Sequence, residues 1–468
     1  MSQADLIVIG AGAAGLSVAA GAAQMGARVV LVEAGEMGGD CLNHGCIPSK
    51  SLIAAAARVQ MARDGFPGMV AAEPEVDFAA VMDHVRTVIA GIAPHDGQAR
   101  FERLGVRVIR GWARFVGPDS VAVGDEVLRA RRIVIATGSR PAVPVVPGLD
   151  RVAYLTNETV FALTALPAHL AVMGAGPVGV ELAQAFRRLG AKVTLIDRGA
   201  MLKREDPQAV AVVRAALLRD GVAVLEECAL SSVAADGAAI RLETAMGPVV
   251  ATHLLVATGR EASVAGLELG AAGIAGDARG IPVDRRLRTV NRRVFAVGDV
   301  AAGQPRFTHV AGFHAGVVVR QAMLGLPARA DRAIVPRATY SAPELAQVGL
   351  TETEARARHG DIAVITKPFD ENDRARTDLG TGGWIKLVIR RGQVIGVTLV
   401  APAASELIAP WAVSLSQGLA LRRIAGTILP YPTRSELGKA AAGAYFSAKL
   451  FGNPLIERVV RLIQRMIP

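Results

Sequence analysis

The chain has 468 residues, 51% of them hydrophobic and 20% charged, which excludes an intrinsically disordered polymer and admits roughly three domains of about 150 residues each. Its formal charge is +10 with aromatics at 4%, too few aromatics for a protein that reads nucleic acid by stacking bases, so no nucleic-acid partner is expected. The basic balance suits a solvated arginine-rich surface, or a preference for anionic partners such as phosphorylated cofactors or an acidic membrane surface.

The opening MSQADLIVIG enters an apolar strand almost at once, so no signal peptide is expected, and no long uncharged apolar run predicts a transmembrane span. Three cysteines, Cys41, Cys46 and Cys228, do not make a secreted disulfide framework. A reducing cytoplasmic compartment is the expectation.

Residues 6–33 read as strand, turn, helix and strand, with Gly10, Gly12 and Gly15 in the turn and Glu33 ending the second strand. Residues 170–197 repeat the pattern with Gly174, Gly176, Gly179 and Asp197. In such a G-x-G-x-x-G unit the first glycine permits the tight turn, and the second lets backbone approach a pyrophosphate. The third lets helix and strand pack closely, and the acid accepts hydrogen bonds from ribose hydroxyls. One such turn is a weak signal. Two complete units imply two dinucleotide sites, one cofactor passing electrons to the other.

Each unit is followed by a near-duplicate buried strand ending in Ala-Thr-Gly, at residues 132–138 and 253–259. Its small turn residues let backbone lie against a ligand. The run PAVPVVPG at 141–148 reads as a linker. A third strand signal, 294–299, ends in Asp299. Beyond about residue 335 the glycine signals stop. Strand-like WIKLVIR and QVIGVTLV alternate with a helical pattern over 405–424, which predicts an α+β third domain.

Residues 38–50 read GGDCLNHGCIPSK. The spacing predicts Cys41 and Cys46 at the start of one helix, where backbone N–H groups and the helix dipole favour thiolate. Lys50, one turn beyond Cys46, can face the same way. This run resembles the redox-active disulfide motif of the flavin-dependent pyridine nucleotide–disulfide oxidoreductases, which include dihydrolipoamide dehydrogenase, glutathione reductase and mercuric reductase. The resemblance spans essentially the whole chain.

It implies an α/β fold with two Rossmann-like domains and an α+β dimerisation domain: FAD-binding 1–148 and 271–335, NAD(P)H-binding 149–270, and dimerisation 336–468. Gly10, Gly12 and Gly15 would hold the FAD pyrophosphate and Glu33 its ribose. Thr137 and Gly138 would lie along the FAD, and Asp299 would bind the ribityl chain. Gly174, Gly176 and Gly179 would receive NAD(P)H, with Gly259 nearby. Lys50 would sit by the flavin, paired with Glu181. Hydride from NAD(P)H would pass through the flavin to a Cys41–Cys46 disulfide, leaving Cys46 as the charge-transfer thiolate and Cys41 as the interchange thiol. No resident metal site is implied.

The resemblance has departures. Disulfide-reducing members carry a His before the Pro of a C-terminal H-P-T-x-x-E stretch, and here residues 430–436 are PYPTRSE. Glu436 is kept, but the His is Tyr431, a poor base with a reference pKa of about 10. Mercuric reductase has tyrosine at the matching position, yet it also carries a C-terminal cysteine pair, and this chain ends RLIQRMIP. His44, between the two cysteines, is an alternative base for Cys41 or an idle loop residue. His309 is read as structural, and Cys228 as a core residue. Asp197 favours NADH, whereas Arg198, Lys203 and Arg204 would suit the 2′-phosphate of NADPH.

Residues 455–467 place apolar side chains on one helical face and arginines elsewhere. Packing against the dimer is the expected fate of that helix, with membrane contact the alternative. The expected protein is a homodimeric flavoenzyme. Tyr431 and Glu436 would come from the partner subunit, and the small-molecule acceptor would be a disulfide or a thiol-bound metal ion. A redox-sensing or membrane-recruited flavoprotein is the reading from another class.

Overall fold

The computed structural model describes residues 4–331 and 334–467. The chain divides into two compact units, Met1–Gly199 with Val222–Arg332, and Ala200–Gly221 with Ala333–Pro468.

The first unit holds both glycine-turn segments. Its larger sheet places the parallel strands Arg107–Arg110, Val29–Glu33, Ala4–Ile9 and Glu126–Ile135 side by side, with Val294–Ala296 also along the last of these. An antiparallel pair, Ser120–Val123 and Ala113–Gly117, extends the edge. Side chains alternate across a strand. Leu6, Val8, Leu31 and Val134 therefore pack on one face with Val18 and Ala22 of helix α1 (Ala13–Gln24). Ile7, Ile9, Val32 and Ile135 pack on the other with Phe115, Leu128 and Ile281. Burial on both faces is why these strands read as unbroken apolar runs.

Two helices follow the second strand: α2 (Gly39–Asn43) and α3 (Cys46–Asp64). A second parallel sheet runs Ala223–Leu225, Lys192–Ile196, His169–Met173, His253–Val256, with α4 (Pro177–Arg188) crossing between its two middle strands. Cys228 is buried beneath it with Leu149, Met173 and Ile196. Helix α5 (Thr308–Leu324) returns to pack Ala315 and Val318 onto the α1 side of the larger sheet.

The second unit is an α+β layer built on an antiparallel sheet ordered Arg337–Thr339, Glu344–Gly349, Gln393–Ala401, Trp384–Arg390, Ala363–Pro368. The helical pattern predicted over 405–424 is broken into Ala404–Leu407, Ala409–Ser416 and Leu421–Ala425. Pro410 has no N–H to continue a helix across that point, and Gly418 turns the chain at φ +61°. Helices α6 (Glu436–Leu450) and α7 (Pro454–Met466) follow. The helix Pro207–Arg219 belongs to this unit, and its capping residue Asp206 accepts from the buried Lys386 at 2.8 Å. No helix among the described residues is long and apolar enough to cross a membrane.

Candidate active site

The two glycine turns have one geometry. At Gly10 (φ +105°) a Cβ would stand 2.4 Å from the Ala136 carbonyl oxygen, and at Gly174 (φ +110°) 2.4 Å from that of Ala257. A Cβ on Gly15 would meet the Gly10 oxygen at 1.8 Å, and one on Gly179 would meet that of Gly174 at 1.8 Å. Each Ala-Thr-Gly strand thus closes on its own glycine turn.

The middle glycines face open space. A Cβ on Gly12 meets only the Gly39 Cα, at 3.8 Å, and one on Gly176 meets nothing within 4 Å. No side chain caps α1 or α4. Each turn is therefore a cradle of uncapped N–H groups beside free volume, which fits the pyrophosphate of a dinucleotide.

The strand-end acids brace these turns. Glu33 accepts from the Ala11 N–H at 2.5 Å and the Gly35 N–H at 2.6 Å. Asp197 accepts from the Ala175 N–H at 2.6 Å and the Gly199 N–H at 2.8 Å. Arg198 stands exposed beside Asp197; Lys203 and Arg204, in the second unit, are also exposed.

The cysteine segment departs from the predicted helix start. Cys46 is the first residue of α3, but Cys41 lies on the separate short α2. The chain folds back at Gly45, where a Cβ would press on the Asp40 carbonyl oxygen at 3.0 Å. That fold-back brings the thiols within hydrogen-bonding reach. Gly39 (φ +61°) lies so close to Gly12 that its Cβ would come 2.6 Å from the Gly12 Cα, so the segment starts against the first turn.

Both thiols are free. The hydrogen bond from Cys41 is the main cause that lowers the Cys46 pKa to about 6; the Thr308 hydroxyl and the Lys50 charge add to it, while burial and Glu181 oppose. The Cys41 pKa is pushed up by its bond to Cys46 and by burial. Cys46 is the thiolate of the pair and Cys41 its proton donor. Lys50 Nζ lies 2.7 Å from Glu181 Oε2, a carboxylate buried in α4.

Asp299 Oδ2 accepts from Ser139 Oγ at 2.6 Å. Arg260 donates Nε to Ser139 Oγ at 2.7 Å and reaches Asp40 Oδ2 at 3.2 Å. Asn157 donates to Asp40 Oδ1 at 3.0 Å and to the His44 carbonyl at 3.2 Å. This chain of contacts joins Asp299 to the residue before Cys41. Thr137 Oγ1 donates to the Ser263 carbonyl at 2.7 Å; Gly138 and Gly259 both have positive φ. His309 stacks on Phe307 at 5.1 Å. The buried His314 accepts from the Gly298 N–H, and burial lowers its pKa to about 4.

In the second unit, Tyr431 is 71% exposed and donates to Asp373 Oδ2 at 2.9 Å. That bond raises its pKa, with the Asp373 charge assisting, so the phenol stays protonated at neutral pH. Glu436 opens α6 and accepts from the Thr433 N–H at 3.3 Å. Among the described residues no cluster of three or more His, Cys, Asp or Glu could hold a metal ion.

Sequence reasoning missed Thr308, Arg260, Ser139 and Asn157. Ser139 and Arg260 each directly follow an Ala-Thr-Gly turn, so the repeat itself was a usable signal. Thr308 carries none, since it meets Cys46 only through the return of α5, with Oγ1 3.5 Å from Sγ. Thr308→Val removes that hydroxyl. Alkylation of Cys46 in the dithiol enzyme should fall as the pH drops through about 6 in the wild type, and the variant's midpoint should move up by roughly half a unit to one unit. An unmoved midpoint contradicts this.

Residues 4–315 match the pyridine nucleotide-disulphide oxidoreductase family, and residues 335–442 match its dimerisation domain. A mercuric reductase of Streptomyces lividans is 36% identical, over 95% of this chain and 96% of the relative. A dihydrolipoyl dehydrogenase of Pseudomonas aeruginosa is 35% identical, over 94% and 98%. Among solved structures, the Cu(II) complex of the HOCl-induced flavoprotein disulfide reductase RclA of Escherichia coli superposes with a TM-score of 0.86 at 28% identity, covering 95% of this chain and all of that one. With two glycine cradles of the same build and a thiol pair beside the first, the chain belongs to the pyridine nucleotide-disulphide oxidoreductases, flavoenzymes that bind FAD and use NAD(P)H.

Proposed function

We propose that this enzyme passes electrons from NAD(P)H to a soft metal ion held by thiols, in the manner of a mercuric reductase. The net reaction is NAD(P)H + M(II) → NAD(P)+ + H+ + M(0), a two-electron transfer that balances in charge. The observation that carries the reading is Tyr431, a protonated phenol tied to Asp373. Reducing a disulfide substrate calls for a base that shuttles a proton at the interchange thiol, and such a phenol does not serve at neutral pH. A soft cation needs thiolate ligands rather than a proton-shuttling base. The relatives named as mercuric reductases support a soft-metal acceptor, and the neighbour solved with Cu(II) supports a metal ion as ligand of this fold.

The domain division is 1–148 with 271–335 for FAD, 149–270 for NAD(P)H and 336–468 for dimerisation; the dimerisation match supports a homodimer. The first turn, Glu33, Thr137, Gly138 and Asp299 hold FAD. The second turn, Asp197, Arg198 and Gly259 hold NAD(P)H. Bound FAD supplies the step from hydride to electron pair. Lys50, held by Glu181, places a positive charge near the Cys46 thiolate. Cys41 is the acceptor's ligand, and the partner subunit's Tyr431 and Glu436 complete the site.

Tyr431→His tests this reading. Lipoamide turnover, low in the wild type, should rise roughly a hundredfold in the variant, while Hg(II) turnover in excess thiol should not rise. Fast wild-type lipoamide turnover that the variant leaves unchanged would favour dihydrolipoamide dehydrogenase.

A further inference from the structure

Helix α7 is not used by the chemistry above, and it lies beyond the family's dimerisation match, which ends at residue 442. Viewed down its axis at about 100° per residue, Leu462, Leu455, Met466, Val459, Ile463, Ile456 and Val460 fill an arc of roughly 160°. Glu457, Arg458, Arg461, Gln464 and Arg465 take the remainder. None of its residues is buried: Leu455 is 68% and Met466 74% exposed. Phe451, just before the helix, is also exposed, at 78%.

The charges distinguish what this surface meets. Arg461 pairs with Glu457 at 3.4 Å. Arg458 and Arg465 have no ion-pair partner among the described residues. They project from the polar arc next to the Leu462 edge of the apolar face. Two uncompensated guanidiniums on that edge suit lipid phosphates above an acyl layer, where arginine stems lie along apolar surface and their heads reach the charged plane. A protein interface would have to bring its own acids to them. The chain's net charge of +10 adds long-range attraction to an anionic surface.

We propose that α7 is a peripheral membrane anchor, lying in the plane of an anionic phospholipid surface with Leu455, Val459, Leu462 and Met466 inserted. The sequence-based expectation is packing against the dimer, and the experiment below separates the two.

The test is co-sedimentation of the FAD-loaded full-length dimer with phosphatidylglycerol vesicles and with phosphatidylcholine vesicles, alongside analytical ultracentrifugation. The wild type should bind phosphatidylglycerol, bind phosphatidylcholine at least tenfold more weakly, and be released by salt. Leu462→Asp should lose the binding yet remain dimeric. The pair Arg458→Ala and Arg465→Ala should weaken it roughly twentyfold or more, at about fivefold per arginine. A wild type that ignores phosphatidylglycerol overturns the proposal. So does a Leu462→Asp protein that becomes monomeric, which would assign the face to a second copy.

Discussion

Cys41→Ala retains FAD and loses turnover with every acceptor, by roughly a thousandfold or more in kcat. Cys41 sits on α2, outside both glycine cradles, so its removal leaves the pyrophosphate sites intact. It also removes the main hydrogen bond that holds the Cys46 pKa down. The alanine variant should therefore show Cys46 titrating well above its wild-type value of about 6, while flavin absorbance per chain is unchanged. Those two readouts separate loss of the relay from loss of the cofactor. Turnover equal to the wild type would mean the thiol pair does not carry the electrons.

Lys386→Ala destabilises the second unit by about 3–5 kcal/mol, among the larger single-substitution effects expected anywhere in the chain. The Lys386 side chain is 3% exposed and lies 2.8 Å from Asp206 and 2.9 Å from Glu352. Removing the ammonium leaves Asp206, itself 2% exposed, as a buried charge without its cation. Asp206 also caps the helix Pro207–Arg219 through the Gln208 N–H, so the loss reaches the attachment of that helix. The exposed Arg356–Glu352 pair should cost well under about 1 kcal/mol when Arg356 is removed. Thermal unfolding of the FAD-loaded dimer would show the contrast. Equal shifts for Lys386→Ala and Arg356→Ala would contradict the account of a buried charge cluster.

Both dinucleotide turns could be read in the sequence because their constraints are local. Gly15 and Gly179 must each leave room for a carbonyl five residues back, and such a constraint shows up at fixed spacing. The same holds for the Cys41–Cys46 run, where only the helix boundary was misplaced, and the fold-back at Gly45 explains why. Lys50 and Glu181 come from segments far apart in the chain, and they were paired only through family resemblance. Arg260 and Asn157 meet Asp40 through loops whose course no periodicity encodes. Thr308 reaches Cys46 because α5 returns along the larger sheet, a fact of topology rather than of pattern. The break in the 405–424 helix was visible as Pro410 and Gly418 but lost against the apolar spacing. The ion cluster at Lys386 was invisible because a lysine in WIKLVIR reads as the polar face of a strand.

Purified, FAD-loaded protein should be given NADH and NADPH in turn, with Hg(II) in excess thiol and with lipoamide, and nicotinamide oxidation followed by absorbance. Sustained oxidation is expected with Hg(II), with elemental mercury released in equal amount to nicotinamide consumed and little turnover of lipoamide. Brisk lipoamide turnover with no mercury released would contradict a soft-metal acceptor.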